Sequence, residues 1–137
     1  MRYLLDTNVV SELGSTTPSP DVQLWVRRHS RDELFISVAT IGEIAYGIQI
    51  MAEGRRKEKL ATWFEVDFLE WIGSRIYPIG ESIMRDWAEI KAKSRPLPVL
   101  DSLLAATAIA AGATLVTRNT KDFAGIDGLS VIDPWEE

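Results

Sequence analysis

The sequence predicts a three-layer α/β fold in which a central, mostly parallel five-stranded sheet is flanked by helices. Three observations carry that expectation. Five short apolar runs occur, at Tyr3 to Asp6, Leu34 to Ser37, Ile76 to Ile79, Thr114 to Thr117 and Ser130 to Ile132, and longer stretches of helical period separate them. Such alternation is the pattern of parallel strands joined by helical crossovers. The chain has 137 residues, 46% of them hydrophobic and five of them Trp, enough to bury one ordinary core, so a single domain over 1–137 is expected.

The elements follow in order. The first apolar strand closes on a carboxylate, Asp6. A helix begins at Pro20 behind a Ser19 cap, because proline at a first helical position gives up no needed N–H, and it buries Val22, Trp25 and Val26. After the Leu34 strand, Ile41, Ile44, Ala45 and Ile48 recur at helical spacing, which predicts a helix from about Val38. A third helix follows the basic run at Arg55 and carries Trp63, Phe64, Phe68 and Trp71, aromatic residues expected to serve the core. A fourth spans Glu81 to Lys93, and Arg95-Pro96-Leu97-Pro98 breaks the pattern. The Ala-rich segment from Leu100 to Ala111 ends at Gly112, a C-cap, and feeds the Thr114 strand.

Composition removes several function classes. With no cysteine there is no disulfide, thiolate metal site or Cys nucleophile, which fits a reducing cytosol, and any metal must be held by oxygen or by the single histidine, His29. The Ala-rich run is too short to span a bilayer, and no signal peptide or membrane anchor is expected. A net charge of −5 argues against a binder that works by phosphate neutralisation alone. Basic residues gather at Arg27, Arg28 and Arg31, at Arg55, Arg56, Lys57 and Lys59, and at Lys91, Lys93 and Arg95, clusters that also suit solvated helix faces. His29, beside three arginines near a helix end, is expected to be exposed and without catalytic role.

The chemistry is carried by acids. Asp6 ends the first strand, and in open α/β sheets ligands bind in the crevice at the carboxyl ends of the strands. A bare carboxylate there has no evident local structural duty. Thr117-Arg118-Asn119 leaves the fourth strand at the same edge with Asp122 close behind, so Asn119 or Asp122 can reach the crevice. Helices run back antiparallel to the strands, which brings Asp101, at the start of the Leu100 helix, to that edge as well. Glu43 borders the buried stripe of its helix in line with Thr40 and Gly47, and Gly42 and Gly47 suggest a close approach of backbone or ligand to that face. Carboxylates crowded together repel and raise one another's pKa unless a cation neutralises them. Hard oxygen donors point to Mg²⁺, with Mn²⁺ as a substitute, and to phosphodiester hydrolysis by an ion-activated water, with no histidine base required.

These residues lie in four ordered blocks: Leu4-Leu5-Asp6-Thr7-Asn8-Val9-Val10-Ser11-Glu12-Leu13, Ser37-Val38-Ala39-Thr40-Ile41-Gly42-Glu43-Ile44, Leu97-Pro98-Val99-Leu100-Asp101, and Leu115-Val116-Thr117-Arg118-Asn119-Thr120-Lys121-Asp122-Phe123. Over nearly its whole length the chain thereby resembles the PIN-domain ribonucleases, specifically VapC-type toxins of bacterial toxin–antitoxin pairs and their FitB-like branch. The resemblance implies a PIN-like fold with Asp6, Glu43 and Asp101 as metal-centred acids and Thr7 near the substrate phosphate or a metal-bound water. Many relatives carry Asp where this chain has Asn119, whereas those with a Thr-Arg-Asn block offer the later aspartate, here Asp122. The resemblance also implies RNA, structured RNA such as tRNA among it, as substrate, a homodimer, and a VapB/FitA-like antitoxin that blocks the acids. Val9, Trp25, Trp63 and Phe64 are candidates for the antitoxin's groove or for the core. Two other readings were weighed against these residues. A haloacid-dehalogenase-like phosphatase needs a second acid two places after Asp6 and meets Asn8 instead. A non-catalytic binding scaffold is disfavoured by the intact acids.

Overall fold

The computed structural model describes residues 1–137. Strands β1 (Tyr3–Leu5), β2 (Leu34–Ser37), β3 (Ile76–Tyr77), β4 (Thr114–Val116) and β5 (Val131–Ile132) form one sheet in the order β3-β2-β1-β4-β5. Every pairing is parallel. The strands fall where the apolar runs predict, with β1, β3 and β4 stopping one or two residues sooner. Asp6 turns instead into a helix cap, and Pro78 supplies no N–H to lengthen the β3 ladder.

Period-two alternation gives the sheet two buried faces. Leu5, Leu34, Ile36 and Val116 join one cluster with Val9, Val22, Trp25, Ile44, Phe64 and Phe68. Leu4 and Leu115 join the other with Leu104, Ala105, Ala108 and Phe123, and Phe35, Tyr77 and Val131 pack against it. The first face is covered by helices α1 (Thr7–Leu13), α2 (Pro20–Arg27) and α3 (Val38–Gln49) and by a rod made of α4 (Arg55–Thr62), a π-helical stretch (Trp63–Phe68) and α5 (Leu69–Ile72). The second is covered by α6 (Glu81–Lys93) and α7 (Val99–Ala111). This is the expected three-layer arrangement.

The caps read from the sequence are in place. The Ser19 hydroxyl accepts the Val22 N–H (3.4 Å) at the start of α2, and Gly112 closes α7 at φ 64°, a left-handed conformation that glycine adopts without strain. Helix α1 is absent from the sequence reading. It is one of the shortest helices, with two β-branched valines at its centre, and so lacks the repeated stripe by which the longer helices announce themselves. No backbone approaches Gly42 or Gly47, where a Cβ would meet nothing within 4 Å, so of the two approaches expected there only a ligand's stays open. One further expectation is corrected. His29 is half-buried: its Nδ1–H donates to the Trp25 carbonyl (2.7 Å), and its ring lies 4.1 Å from that of Trp25 and 4.7 Å from that of Tyr3. Tyr3 begins β1, so His29 stands at the end of the sheet opposite Asp6.

Candidate active site

Strand order fixes where a site can be. The chain steps from β1 outward to β2 and β3, then returns to lay β4 on the other side of β1. Beyond the carboxyl ends of β1 and β4 the connections diverge and leave a crevice. Asp6 and Thr117, the first residues past those two strands, face each other across it: Thr117 Oγ1 donates to Asp6 Oδ2 at 2.8 Å, and the Asp6 N–H donates to the Val116 carbonyl at 2.9 Å.

Asp6 is buried, 5% exposed, and is also the N-cap of α1, with Oδ1 accepting the Thr7 N–H at 2.6 Å. The carboxylate therefore has a local structural duty, contrary to the expectation from sequence, because the unforeseen helix begins there. Thr7, in the first turn of α1, donates its hydroxyl to Glu43 Oε1 (2.6 Å) and lies 3.3 Å from the hydroxyl of Thr40. That bond ties α1 to α3 and orients the glutamate. Asn8 reaches the other way, its amide donating to Thr117 Oγ1 (3.2 Å) and its carbonyl oxygen accepting the Arg118 N–H (3.3 Å). Asp101 stands in the first turn of α7, half-buried.

Burial is the chief cause that pushes the Asp6 carboxyl up to about 6, against lowering hydrogen bonds from Thr117 and Thr7; the nearby charges of Asp101 and Glu43 add to the rise. The Asp101 carboxyl is also raised, first by burial and then by Glu43 and Asp122. Like-charge repulsion thus exists as expected but is secondary to desolvation. The acids' charges link Asp6 to Asp101 and Glu43, and Asp101 to Glu43 and Asp122. Asp122 is exposed in a 3₁₀ turn (Thr120–Phe123) and acts on Asp101, whereas the Asn119 side chain bonds to none of the four acids.

None of these carboxylates takes part in an ion pair; the four ion pairs of the chain lie elsewhere. An acidic cluster without an internal cation, made only of oxygen donors, suits a hard divalent ion. The acids do not form a closed cage: no three His, Cys, Asp or Glu side chains stand close enough to grip one ion. Of the groove candidates, Val9, Trp25 and Phe64 are buried in the core, and only Trp63 is partly open. The sequence reading gave no role to Asn8 or Thr117; a polar pair flanking an acid at two adjacent strand ends was the available signal.

The PIN domain family matches residues 3–129, and the chain belongs to that family. It is 35% identical to the plasmid stability protein StbB of Pseudomonas syringae pv. tomato over 97% of this chain and 98% of that one. It is 31% identical to the VapC ribonuclease Y4jK of Sinorhizobium fredii over 97% of each. The crystal structure of FitAcB from Neisseria gonorrhoeae superposes with a TM-score of 0.91 at 29% identity, covering 98% of this chain and 99% of that one.

Proposed function

We propose that this chain is a Mg²⁺-dependent endoribonuclease, the toxin of a toxin–antitoxin pair, which hydrolyses RNA phosphodiester bonds at the carboxylate cluster. The observation that carries the reading is that acids from four separate segments act on one another's charge near the switch-point crevice, none of them in an ion pair. Kinship with a protein named as a VapC ribonuclease supports the choice of RNA.

Asp6, Glu43, Asp101 and Asp122 would serve the ion, one or two of them directly and the others through its waters, with Mn²⁺ able to replace Mg²⁺. A hard divalent ion supplies Lewis acidity toward water and the phosphoryl group and neutralises the charge that accumulates on phosphate oxygens. The chain's own residues hold the acids for that task. Thr117 and the Thr7 amide fix both oxygens of Asp6, and Asn8 fixes Thr117, so the carboxylate is preorganised. The Thr7 hydroxyl, committed to Glu43, keeps that acid oriented. Burial around Asp6 lowers the local dielectric and excludes bulk water.

By the same kinship we propose a cytoplasmic protein that forms homodimers and is silenced by a VapB/FitA-like antitoxin covering the acids. No helix of the chain is long and apolar enough to cross a membrane. To test the activity, purified antitoxin-free protein and its Asp6→Asn variant are incubated with total tRNA in Mg²⁺ or EDTA, and cut ends are mapped. Cleavage by the unsubstituted chain alone, lost in EDTA, is the expected outcome. Equal cutting by both proteins, or none by folded protein in Mg²⁺, would overturn the reading and bring forward a non-catalytic scaffold.

A further inference from the structure

A groove of ≈ 1170 Å³ opens beside the carboxylate crevice, between the end of α1, the turn after α3 and the start of α4. Its charge is opposite to that of the crevice. Arg55, Arg56 and Lys59 line it, all exposed and none in an ion pair, and the one acid on its wall, Glu53, is bound to Lys57 at 2.6 Å. Trp63 supplies an aromatic surface on the same wall. In a chain of net charge −5, three unpaired cations gathered on one concave surface form a local exception.

The groove's lining includes none of the four acids but reaches α1 at Ser11, one helical turn from Thr7. Helices α1 and α3 meet at the Thr7–Glu43 bond, and one turn further along them stand Ser11 and Gly47. Both are small, Ser11 already lines the groove, and the space over Gly47 is open. A strand whose phosphate lay at Thr7 could pass over the small Ser11 and Gly47 toward the arginines.

We infer that this groove is the track for single-stranded RNA leading to the cut site, with Arg55, Arg56 and Lys59 holding successive phosphates and Trp63 receiving a base. Cations along a groove with an aromatic surface are the chemistry that binds single-stranded nucleic acid with little sequence preference. The assignment rests on the nuclease reading and makes these side chains positioning residues, not catalytic ones.

The test measures binding of a labelled single-stranded RNA oligonucleotide to the Asp6→Asn protein across a range of salt, by fluorescence anisotropy. Adding Arg55→Glu and Arg56→Glu should weaken binding about tenfold or more at low salt and reduce the slope of log affinity on log salt by roughly 1 to 1.5, since each lost phosphate contact on a single strand removes about 0.7. Arg27→Glu with Arg28→Glu, an equal charge change on α2, should leave the slope near its starting value. In the active chain the groove pair should raise KM for RNA about tenfold and move kcat much less. Affinity and slope that stay constant in the groove variant overturn the inference, as does an equal loss in the α2 control. A groove that serves an acidic segment of a protein partner would give the first of these results. If the unsubstituted chain cuts RNA while the groove variant keeps its KM, the track alone fails; if the unsubstituted chain cuts nothing, the nuclease reading fails, and anisotropy still decides whether the groove holds RNA.

Discussion

At Asp6 one carboxylate caps α1, bonds to Thr117 at the end of β4 and faces the crevice, all while buried. Its pKa of about 6 in the folded chain lies above the ordinary 3.8, so the native state binds the proton more tightly than the unfolded chain does. Stability therefore falls as pH rises from 3.8 through about 6, and the whole cost, on the order of 3 kcal/mol for such a gap, remains at neutral pH. Asp101, raised in the same direction, adds to that slope. Asparagine removes the charge and keeps one of the two acceptor oxygens, so part of the gain is offset by a weakened bond to Thr7 or Thr117. In urea unfolding of EDTA-treated protein at pH 7.5, Asp6→Asn should be more stable than the parent by about 1 to 3 kcal/mol, with the advantage shrinking at low pH. A variant less stable than the parent at pH 7.5 would contradict the account. Thr7 allows a complementary test. Thr7→Val keeps the shape and loses the bond to Glu43, a bond to a charged group worth about 1.5 to 3 kcal/mol, so kcat for RNA should fall about 10- to 100-fold while Thr7→Ser retains most of it. The acids themselves were legible because residue type, strand-end position and the four sequence blocks agree. The hydroxyls and amide that orient them were not, because which of Thr7, Asn8, Thr40 and Thr117 faces an acid depends on sheet register and on a helix that the pattern did not reveal.

Among the elements, the long helices were legible by their apolar stripes and caps, and the strands by runs that a parallel sheet buries on both faces. Helix α1 was not, and neither was the π-helical stretch at Trp63–Phe68, which reads as ordinary helix because the aromatic spacing hides the widened turn. The packing of these two elements is coupled at one point. A Cβ on Gly14, the C-cap of α1, would lie 2.7 Å from two ring carbons of Trp63. Gly14 has an ordinary right-handed φ of −89°, so the glycine is needed for space and not for backbone freedom. Gly14→Ala should accordingly destabilise the fold by about 1 to 3 kcal/mol through overpacking, read as a lower urea midpoint with an unchanged m-value. Combining it with Trp63→Leu should cost less than the sum of the two single changes, since the smaller side chain clears the clash. Additive losses would mean that the ring yields freely.

For the whole molecule, a wholly parallel sheet with its order reversing at β1 places one crevice at its carboxyl edge, and four segments far apart in sequence deliver acids there with no cation to balance them. The fold thus carries a local charge imbalance that a bound divalent ion would relieve. The most direct test is thermal or urea unfolding of the protein at pH 7.5 as Mg²⁺ is added, for the unsubstituted chain and for Asp6→Asn and Asp101→Asn. Binding to the native state alone should stabilise the unsubstituted chain by about 2.7 kcal/mol when the ion reaches 100 times its dissociation constant, and most of that gain should be lost in both variants. No stabilisation of the unsubstituted chain, or an equal gain in all three proteins, would contradict the claim that this crevice is built to take a metal.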